Sequence, residues 1–513
     1  MKSFLTTARG YGTVFALAAL AIAGPVGDQA HAQKAKDTFR VIINEPISSL
    51  DYYMGAERMN IIMSHHLYDT LIYKDAKSGE FVPALAESYK VVDGKTIEFV
   101  IRQGVKFHDG AAMTADDVVY TLNKVSDPAY GALYKIAVQW IDRAEKVGDW
   151  TVRLHMKQPN PVALEWVAGF IPIYPKAYYE KVGKEGMTTR PIGTGPYKLE
   201  SVDPGAHWTL KRFADHYKGS PKGNAIGTID FRLIGEVNTQ LTEMLTGGAD
   251  FTWGFAPDAA KRLQGRKGME VKNVPILRIV YMVVNTEKDS PLKDPRVRRA
   301  MMHALDREKI MLTFVGSGSD VINSACNPVQ FGCETDVAKY EYNPEKAKAL
   351  LAEAGYKDGF TLPMMVAINP TTNRSIQEAL MANLATVGIK VDVTAQHWAA
   401  ARESWIGKNY PVMLMGWGSW GIYDVAMMTS EFFNGTAVDL VKDEKVVDLI
   451  KKGDQEINRE QRKKFYSDAL KRIAGEAYFM PLWTYNVNFA VRDDVNMTIE
   501  PDEIARFFNA TWK

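Results

Sequence analysis

An aromatic, glycine-rich stretch is the part of this chain whose residue types best fit a binding pocket. It opens with an apolar run at 412–415, typical of a buried strand, and continues as GWGSWGIYD. Glycines between Trp417, Trp420 and Tyr423 allow a loop to take unusual dihedral angles while rigid rings face a cavity. Asp424 then adds a single carboxylate. Aromatic walls with one carboxylate suit a small-molecule pocket that recognises an amine or another cation.

The same stretch also fits a tryptophan-rich turn in a protein core, with Asp424 capping the following helix.

Catalytic motifs are missing elsewhere. Ser419 has Trp417 two positions before it, where a nucleophile elbow needs glycine, and His65-His66 lacks the H-E-x-x-H frame. No Walker A loop or G-x-G-x-x-G follows a strand. The sequence therefore favours binding over catalysis, with no cofactor.

Length and composition indicate a soluble, exported protein of several lobes. The chain has 513 residues, 46% of them hydrophobic, and a net charge of +1, so no nucleic-acid or anionic-membrane partner is indicated. Lys2 and Arg9, a short apolar core and Ala30-His31-Ala32 predict a signal peptide over 1–32, with Gln33 as the mature start. There is no cysteine near the cleavage site, so a lipid anchor is not expected. No later apolar run is long enough to cross a membrane.

Two cysteines, Cys326 and Cys333, stand close together in the loop sequence NSACNPVQFGCETD. In an oxidising compartment such a pair is most simply a local disulfide. A metal site is the weaker reading, because two thiolates alone do not complete a tetrahedral shell.

Local signals place helices and strands along the chain. Residues 39–44 and 150–156 read as strands, and Thr114 with Asp117 forms a capping box at a helix start. Asp294 before proline starts a helix in the same way further on. A helix is predicted at 375–387, a glycine ends it, and a strand follows. This alternation of strand and helix predicts an α/β lobe with a largely parallel sheet.

Five sequence blocks carry a resemblance to a known family. In chain order they are AERMNIIMSHHLYDTLI, FVPALAESYKVVDGKTIEFVIRQGVKFHDGAAMTADDVVYTL, PIGTGPYKL, PLKDPRVRRAMMHALDREKI and YNPEKAKALLAEAGY. Together they resemble the extracellular solute-binding proteins, family 5, of dipeptide, oligopeptide and nickel ABC importers. The resemblance covers nearly all of the mature chain.

This resemblance implies a two-lobe periplasmic-binding-protein clamp of the large peptide-binding class. Lobe I would comprise 33–275 plus 486–513, with an extra subdomain at about 55–190, and lobe II would comprise 276–485. The chain would cross between lobes near 276–284 and 482–488. The implied protein is a periplasmic monomer, not embedded in the membrane, that works with an inner-membrane ABC permease and its ATPases.

The resemblance also assigns roles to residues of the cleft. Trp417 matches a tryptophan that walls the cleft, and Asp424 falls at or next to a carboxylate that takes the ligand's α-amino group, although the family's Asp-Pro-Asp run is absent. Arg374, after Asn-Pro, matches the arginine that grips the ligand carboxylate in dipeptide binders. Trp253 and Tyr485 would lie near the cleft.

If Asp424 and Arg374 both face the cleft, closure favours a ligand with an amine and an acid group, since an unpaired charge in a closed cleft is costly. We therefore expect a short peptide or an amino-acid conjugate such as an opine. The alternatives are a non-peptide solute (a metal chelate or haem included), a periplasmic hydrolase and a sensory receptor.

Overall fold

The computed structural model describes residues 37–55, 57–76 and 78–513. The predicted signal peptide, 1–32, lies outside the described residues. In the part of the chain that is described, no helix is both long and apolar enough to cross a membrane.

The strands are numbered in chain order. They are β1 Thr38–Ile43, β2 Ile72–Lys74, β3 Phe81–Pro83, β4 Ala86–Asp93, β5 Thr96–Ile101, β6 Ile141–Gly148, β7 Thr151–Met156, β8 Tyr197–Asp203, β9 His207–Arg212, β10 Thr228–Leu233, β11 Phe251–Trp253, β12 Met269–Val284, β13 Phe360–Ala367, β14 Ile389–Gln396, β15 Val412–Trp417, β16 Phe479–Arg492, β17 Val495–Asn496 and β18 Thr511–Trp512.

The helices are numbered in the same way. They are α1 Arg58–Leu67, α2 Ala115–Ser126, α3 Lys135–Val138, α4 Ala163–Gly169, α5 Lys176–Thr189, α6 Val237–Thr246, α7 Pro257–Leu263, α8 Pro295–Ala304, α9 Arg307–Phe314, α10 Pro344–Glu353, α11 Arg374–Ala385, α12 Trp398–Ile406, α13 Ala426–Phe432, α14 Glu444–Gln455 and α15 Arg459–Gly475. The stretch α5 is interrupted at Gly183, whose φ of 62° breaks the helical path.

One ten-stranded sheet runs through both lobes of the clamp, in the order β14-β13-β15-β12-β16-β11-β1-β10-β9-β8. Strands β13, β14 and β15 pair in parallel, as the strand–helix–strand pattern predicts. Strands β12 and β16 pair antiparallel with their neighbours, so the sheet is mixed and not largely parallel. The sequence could not indicate this, because β16 returns from the far end of the chain.

The two long strands β12 and β16 cross from one side of the molecule to the other. They pair from Met269–Arg492 to Val283–Phe479, with an irregularity between Ile276 and Ile279. The predicted crossings at 276–284 and 482–488 lie inside these strands. The lobe boundaries assigned around them remain a prediction.

A separate four-stranded antiparallel sheet, β4-β5-β7-β6, lies within the predicted subdomain. Helix α2 packs on it through an inner face that includes Val118, Leu122 and Val125. This helix begins at the predicted capping box, in which Thr114 and Asp117 bond each other's backbone N–H groups. Apolar periodicity and an N-cap are therefore enough to set this element.

The predicted second lobe contains a separate hydrophobic core. Alternate residues of β12, such as Val280 and Met282, face it together with Trp483 of β16 and helix residues such as Met301 and Leu380. The first of these helices, α8, begins at Asp294, whose side chain accepts a hydrogen bond from the Arg296 N–H, as predicted. The neighbouring residues of β12, including Tyr281, pack into the larger core on the other face of the sheet.

Candidate functional site

A cavity lies beside the middle of the paired strands β12 and β16, where they pass from one side of the molecule to the other. We call it the cleft cavity. Among its wall residues are Arg58, Trp253, Arg278, Tyr485, Asn486 and Glu503. They come from the start of α1, from β11, from the two crossing strands and from the C-terminal segment. Thr371, from the loop before α11, adds a wall on the side of the second lobe. The cavity therefore brings together groups that are far apart in the sequence.

Two guanidinium groups share one carboxylate in this cavity. Arg278 Nη2 lies 3.1 Å from Glu503 Oε1, and Arg58 Nη2 lies 3.3 Å from Glu503 Oε2. Arg58 Nη1 also donates to the backbone oxygen of Asp502 at 3.2 Å. Burial lowers the pKa of Arg278, but the field of Glu503 and of Glu45 outweighs that effect and holds the pKa above its usual value. Arg278 therefore stays charged although it is buried.

The backbone is irregular at two members of this charged cluster. Arg278 lies in the β12 irregularity, between the paired residues Ile276 and Ile279. There the Leu277 N–H donates to the Pro501 oxygen at 3.0 Å, which ties β12 to the C-terminal segment. Glu503 has φ of 63°, an uncommon value for a residue with a side chain. Bulges and strained dihedrals of this kind concentrate at binding sites, where they aim side chains.

An amide chain lines the cavity beside this cluster. Asn486 Nδ2 donates to Asn273 at 2.6 Å, Asn273 donates to Asn488 at 2.8 Å, and Asn488 donates to the Phe255 oxygen at 2.9 Å. Asn486 is 5% exposed, yet its Oδ1 atom has no hydrogen-bond partner among the described residues. A buried acceptor without a partner is rare in proteins.

The cleft cavity includes two of the residues that the resemblance pointed to. Trp253 packs against Phe251 and Phe507, with ring centroids 5.3 and 6.4 Å away, and exposes part of its ring. Tyr485 faces Ile276 across the crossing strands, and burial raises the pKa of its hydroxyl. Their contact with a ligand remains a prediction.

The aromatic stretch forms a strained loop after β15. Ser419 and Trp420 have φ of 52° and 59°, in the left-handed region that residues with side chains rarely occupy. Gly418 permits close approach, since a Cβ there would lie 2.7 Å from Glu503 Oε2. The loop therefore packs directly on the C-terminal segment that carries Glu503. Trp417 meets Trp420 edge to face, with ring centroids 5.6 Å apart.

This loop also touches the predicted subdomain. The Trp420 ring lies edge-on to Tyr134, with centroids 4.9 Å apart, and Lys74 Nζ lies 5.1 Å from the Tyr423 ring centre. Lys74 is held in place by Glu165, 2.6 Å away. Trp420 and Tyr423 line a second cavity of about 390 Å³, separate from the cleft cavity, to which Glu165 also contributes. The two aromatic residues therefore connect the loop after β15 with elements of the predicted subdomain and its surroundings.

Asp424 is engaged by another residue. Its two oxygens bind Arg462 Nη1 and Nη2 at 2.6 and 2.8 Å, and it also accepts from the Ala426 N–H at 3.0 Å. The side chain is buried and does not line the cleft cavity. Asp424 thus accepts from the first N–H of α13, whose N-cap is Val425, and Arg462 supplies its countercharge from within the protein.

Arg374 lies outside the cleft cavity. Its side chain is 89% exposed, and its Nε donates to Glu378 Oε1 one helical turn later, at 2.7 Å. The loop before it does reach the cavity, but through Thr371. The structure therefore does not bring Asp424 and Arg374 together, because one faces the interior of the second lobe and the other faces solvent.

Sequence reasoning missed four charged residues of the cavity: Glu45, Arg58, Arg278 and Glu503. Arg278 carried a usable signal, since it is the single charge in the apolar run ILRIVYMVV. A charge in a strand that is otherwise buried needs a partner or a ligand. Arg58 and Glu503 carried no comparable pattern, because they meet only through the folding of distant segments.

The predicted disulfide between Cys326 and Cys333 is present in the structure. Its loop is hydrogen-bonded to the end of the aromatic stretch. The Phe331 N–H donates to the Tyr423 oxygen at 2.9 Å, and Gln330 Nε2 donates to the Ile422 oxygen at 3.1 Å. The disulfide loop therefore braces the segment that presents the aromatic rings.

Comparison with known proteins decides the family. The family described as bacterial extracellular solute-binding proteins, family 5 Middle, matches residues 80–439. The chain belongs to the family 5 solute-binding proteins. Members of this family are non-enzymatic components of transport. Among the described residues, no group of three or more histidine, cysteine or acidic side chains is arranged to hold a metal ion.

Several family 5 proteins are similar over most of this chain. The dipeptide-binding protein of Escherichia coli (strain K12) is 28% identical over 380 residues, covering 68% of this chain and 70% of that protein. The glutathione-binding protein GsiB of Salmonella typhi is 30% identical over 384 residues, covering 74% and 73%. The crystal structure of a dipeptide-binding protein from Pseudoalteromonas sp. SM9913 in complex with Met-Leu superposes with a TM-score of 0.81 at 25% identity, covering 93% of this chain and all of that one.

Proposed function

We propose that this protein is the periplasmic substrate-binding component of an ABC importer, and that it captures a small, zwitterionic, peptide-like solute. The observation that carries the proposal is the cleft cavity, where charged and aromatic groups meet at the two crossing strands. Relatives that bind dipeptides and glutathione support the ligand class, because these molecules carry both an ammonium and a carboxylate group.

Capture follows from closure of the two lobes. The cavity has walls from both sides of the crossing strands, so a ligand bound there stabilises the arrangement in which the lobes meet. The lobes are connected by β12 and β16, so closure changes only a small set of backbone torsions. The conformational entropy lost on binding is therefore small. The closed, liganded form is then the one delivered to the inner-membrane permease.

Purification from the native host followed by native mass spectrometry tests this function. We expect a complex that releases a di- or tripeptide, or one discrete amino-acid conjugate, on denaturation. Calorimetric titration of the ligand-free protein with Met-Leu, glutathione and an opine then ranks the classes. A protein that carries nothing and binds no zwitterion would contradict the proposal.

Two further experiments test export to the periplasm and delivery of the ligand to the permease. N-terminal sequencing of the exported protein should begin at Gln33, as the A-x-A site predicts. A strain that lacks this gene should lose uptake of the released ligand and regain it on complementation. Normal uptake in that strain would assign the protein to a role other than transport, such as sensing.

A further inference from the structure

Two turns from distant parts of the chain touch each other away from both cavities. One is the turn between β4 and β5, which contains Gly94, and the other is the turn between α14 and α15, which contains Ile457. Neither residue lines the cleft cavity or the second cavity. The first turn belongs to the predicted subdomain and the second to the predicted lobe II. The contact therefore joins parts of the molecule that closure of the clamp would bring together.

The contact leaves no room for a side chain at position 94. A Cβ atom on Gly94 would lie 2.5 Å from Ile457 Cδ1, well inside the ordinary carbon–carbon separation of about 3.5–4.0 Å. The backbone itself does not require glycine there, because Gly94 does not have a left-handed φ. The next residue that such a Cβ would meet is Pro159, at 3.9 Å, which is an ordinary contact. Ile457 therefore occupies the space over Gly94, although it is 63% exposed.

The other contact between these parts is also made without polar bonds. Trp420 meets Tyr134 through ring edges, as Ile457 meets its glycine through a methyl group. Between the described residues of 80–190 and those of 285–480, no hydrogen bond or ion pair joins the two parts. Their separation would leave no buried donor, acceptor or charge newly without a partner, so it costs little. Contacts of this kind suit a clamp that opens and closes repeatedly.

We propose that Ile457 and Gly94 form a latch that engages when the lobes close around a ligand and slows the release of that ligand. This inference rests on the proposed function, and it adds a residue pair that tunes affinity without touching the ligand. The latch contact exists only when the lobes meet, so it stabilises the closed form and raises the apparent affinity. Because the ligand leaves after the lobes separate, the effect falls on the dissociation rate.

Cross-linking tests the contact directly. In the double variant Gly94→Cys/Ile457→Cys, a short bismaleimide should join the two introduced thiols, and saturating Met-Leu should speed the reaction. The native cysteines do not interfere, because they form a disulfide. The double variant Gly94→Cys/Ile406→Cys is the matched control, since Ile406 is an exposed isoleucine of the same predicted lobe, and it should cross-link much more slowly.

Stopped-flow release of Met-Leu tests the effect on the ligand. Ile457→Ala should release it about 2- to 5-fold faster, because apolar contact in the closed form is lost. Gly94→Ala should have a similar effect, since its methyl group collides with the isoleucine. In the double variant Gly94→Ala/Ile457→Ala the collision is absent, so the glycine substitution should add no further change. Gly148→Ala, in the β6–β7 turn of the same sheet, is the control and should match the wild type.

The possible results separate the latch from the proposed function. Unchanged release of Met-Leu in all three latch variants would overturn the latch and leave the proposed function in place. The same holds for a cross-linking rate that saturating ligand does not change, because the contact would then be independent of closure. A wild-type protein that binds neither Met-Leu nor any other member of a panel of dipeptides, glutathione and opines would overturn both, and titration reveals this before any variant is made.

Discussion

Asp424 and Arg462 form a two-point ion pair inside the second lobe, with nitrogen–oxygen distances of 2.6 and 2.8 Å. Tyr466 extends the network, since it accepts from Arg462 at 3.1 Å and donates to Asp454 at 2.8 Å. The pair fixes the start of α13 directly after the aromatic loop. It therefore supports the shape of the loop without contacting the cleft cavity.

Arg462→Gln should destabilise the protein by about 3–5 kcal/mol, because it leaves the buried carboxylate of Asp424 without its countercharge. Chemical denaturation measures this loss. The double variant Asp424→Asn/Arg462→Gln should be more stable than Arg462→Gln alone, since it leaves no unpaired charge. If Asp424→Asn abolished ligand binding with an unchanged free energy of unfolding, Asp424 would be a ligand contact instead.

Loss of the disulfide should loosen the aromatic loop. The double variant Cys326→Ala/Cys333→Ala lacks the cross-link that restricts the unfolded chain. Its free energy of unfolding should therefore fall by about 2–3 kcal/mol. Amide exchange at Phe331 and Val425, whose N–H groups bond the Tyr423 and Phe331 oxygens, should quicken. Reduction of the wild-type protein should reproduce both effects, and unchanged exchange would show that the brace is unnecessary.

Trp420 combines an edge-to-face contact with a strained backbone, and two substitutions separate these effects. Trp420→Ala and Trp420→Gly both remove the ring that meets Tyr134, but only glycine relieves the left-handed φ. We expect Trp420→Gly to be more stable than Trp420→Ala by about 0.5–1 kcal/mol in denaturant unfolding. Trp398→Ala, at an exposed position, serves as the control for tryptophan loss. Greater stability of the alanine variant would mean that the loop relaxes once the ring is gone.

Asp51 should make stability depend on pH. Burial raises the pKa of Asp51 to about 6, although hydrogen bonds from the Tyr174 hydroxyl and the Tyr53 N–H act to lower it. A group with a raised pKa in the folded state contributes stability that is present below its unfolded pKa and is lost as the pH rises through about 6. Asp51→Asn should therefore be more stable than the wild type at pH 8 and similar to it at pH 4. Thermal unfolding from pH 4 to pH 8 measures this, and parallel curves for the two proteins would contradict it.

Short-range rules explain why much of the fold was predictable. The capping box at Thr114 and the Asp294 cap depend only on residues within one helical turn, and both are present as predicted. The disulfide likewise joins residues seven positions apart. The antiparallel crossing of β12 and β16 depends on pairing across about 200 residues, which no local pattern encodes.

The site was harder to predict for the same reason. Trp253 and Tyr485 were placed near the cleft by family resemblance, whereas Asp424 was interpreted without Arg462, which lies 38 residues away. A charge seen in sequence has no visible partner, so its function depends on which distant charge folds against it. Arg278 was the exception, because its apolar surroundings could have marked it.

The position of β16 in the centre of the ten-stranded sheet has a consequence for the order of folding. This strand follows β12 in the chain only after β13, β14 and β15, yet it joins β11 to β12 and so connects the two parts of the sheet. During synthesis, the strands on either side of β16 are therefore made well before the strand that joins them. A truncation before β16 would leave two half-sheets with exposed edges, so the sheet is completed only when β16 is available.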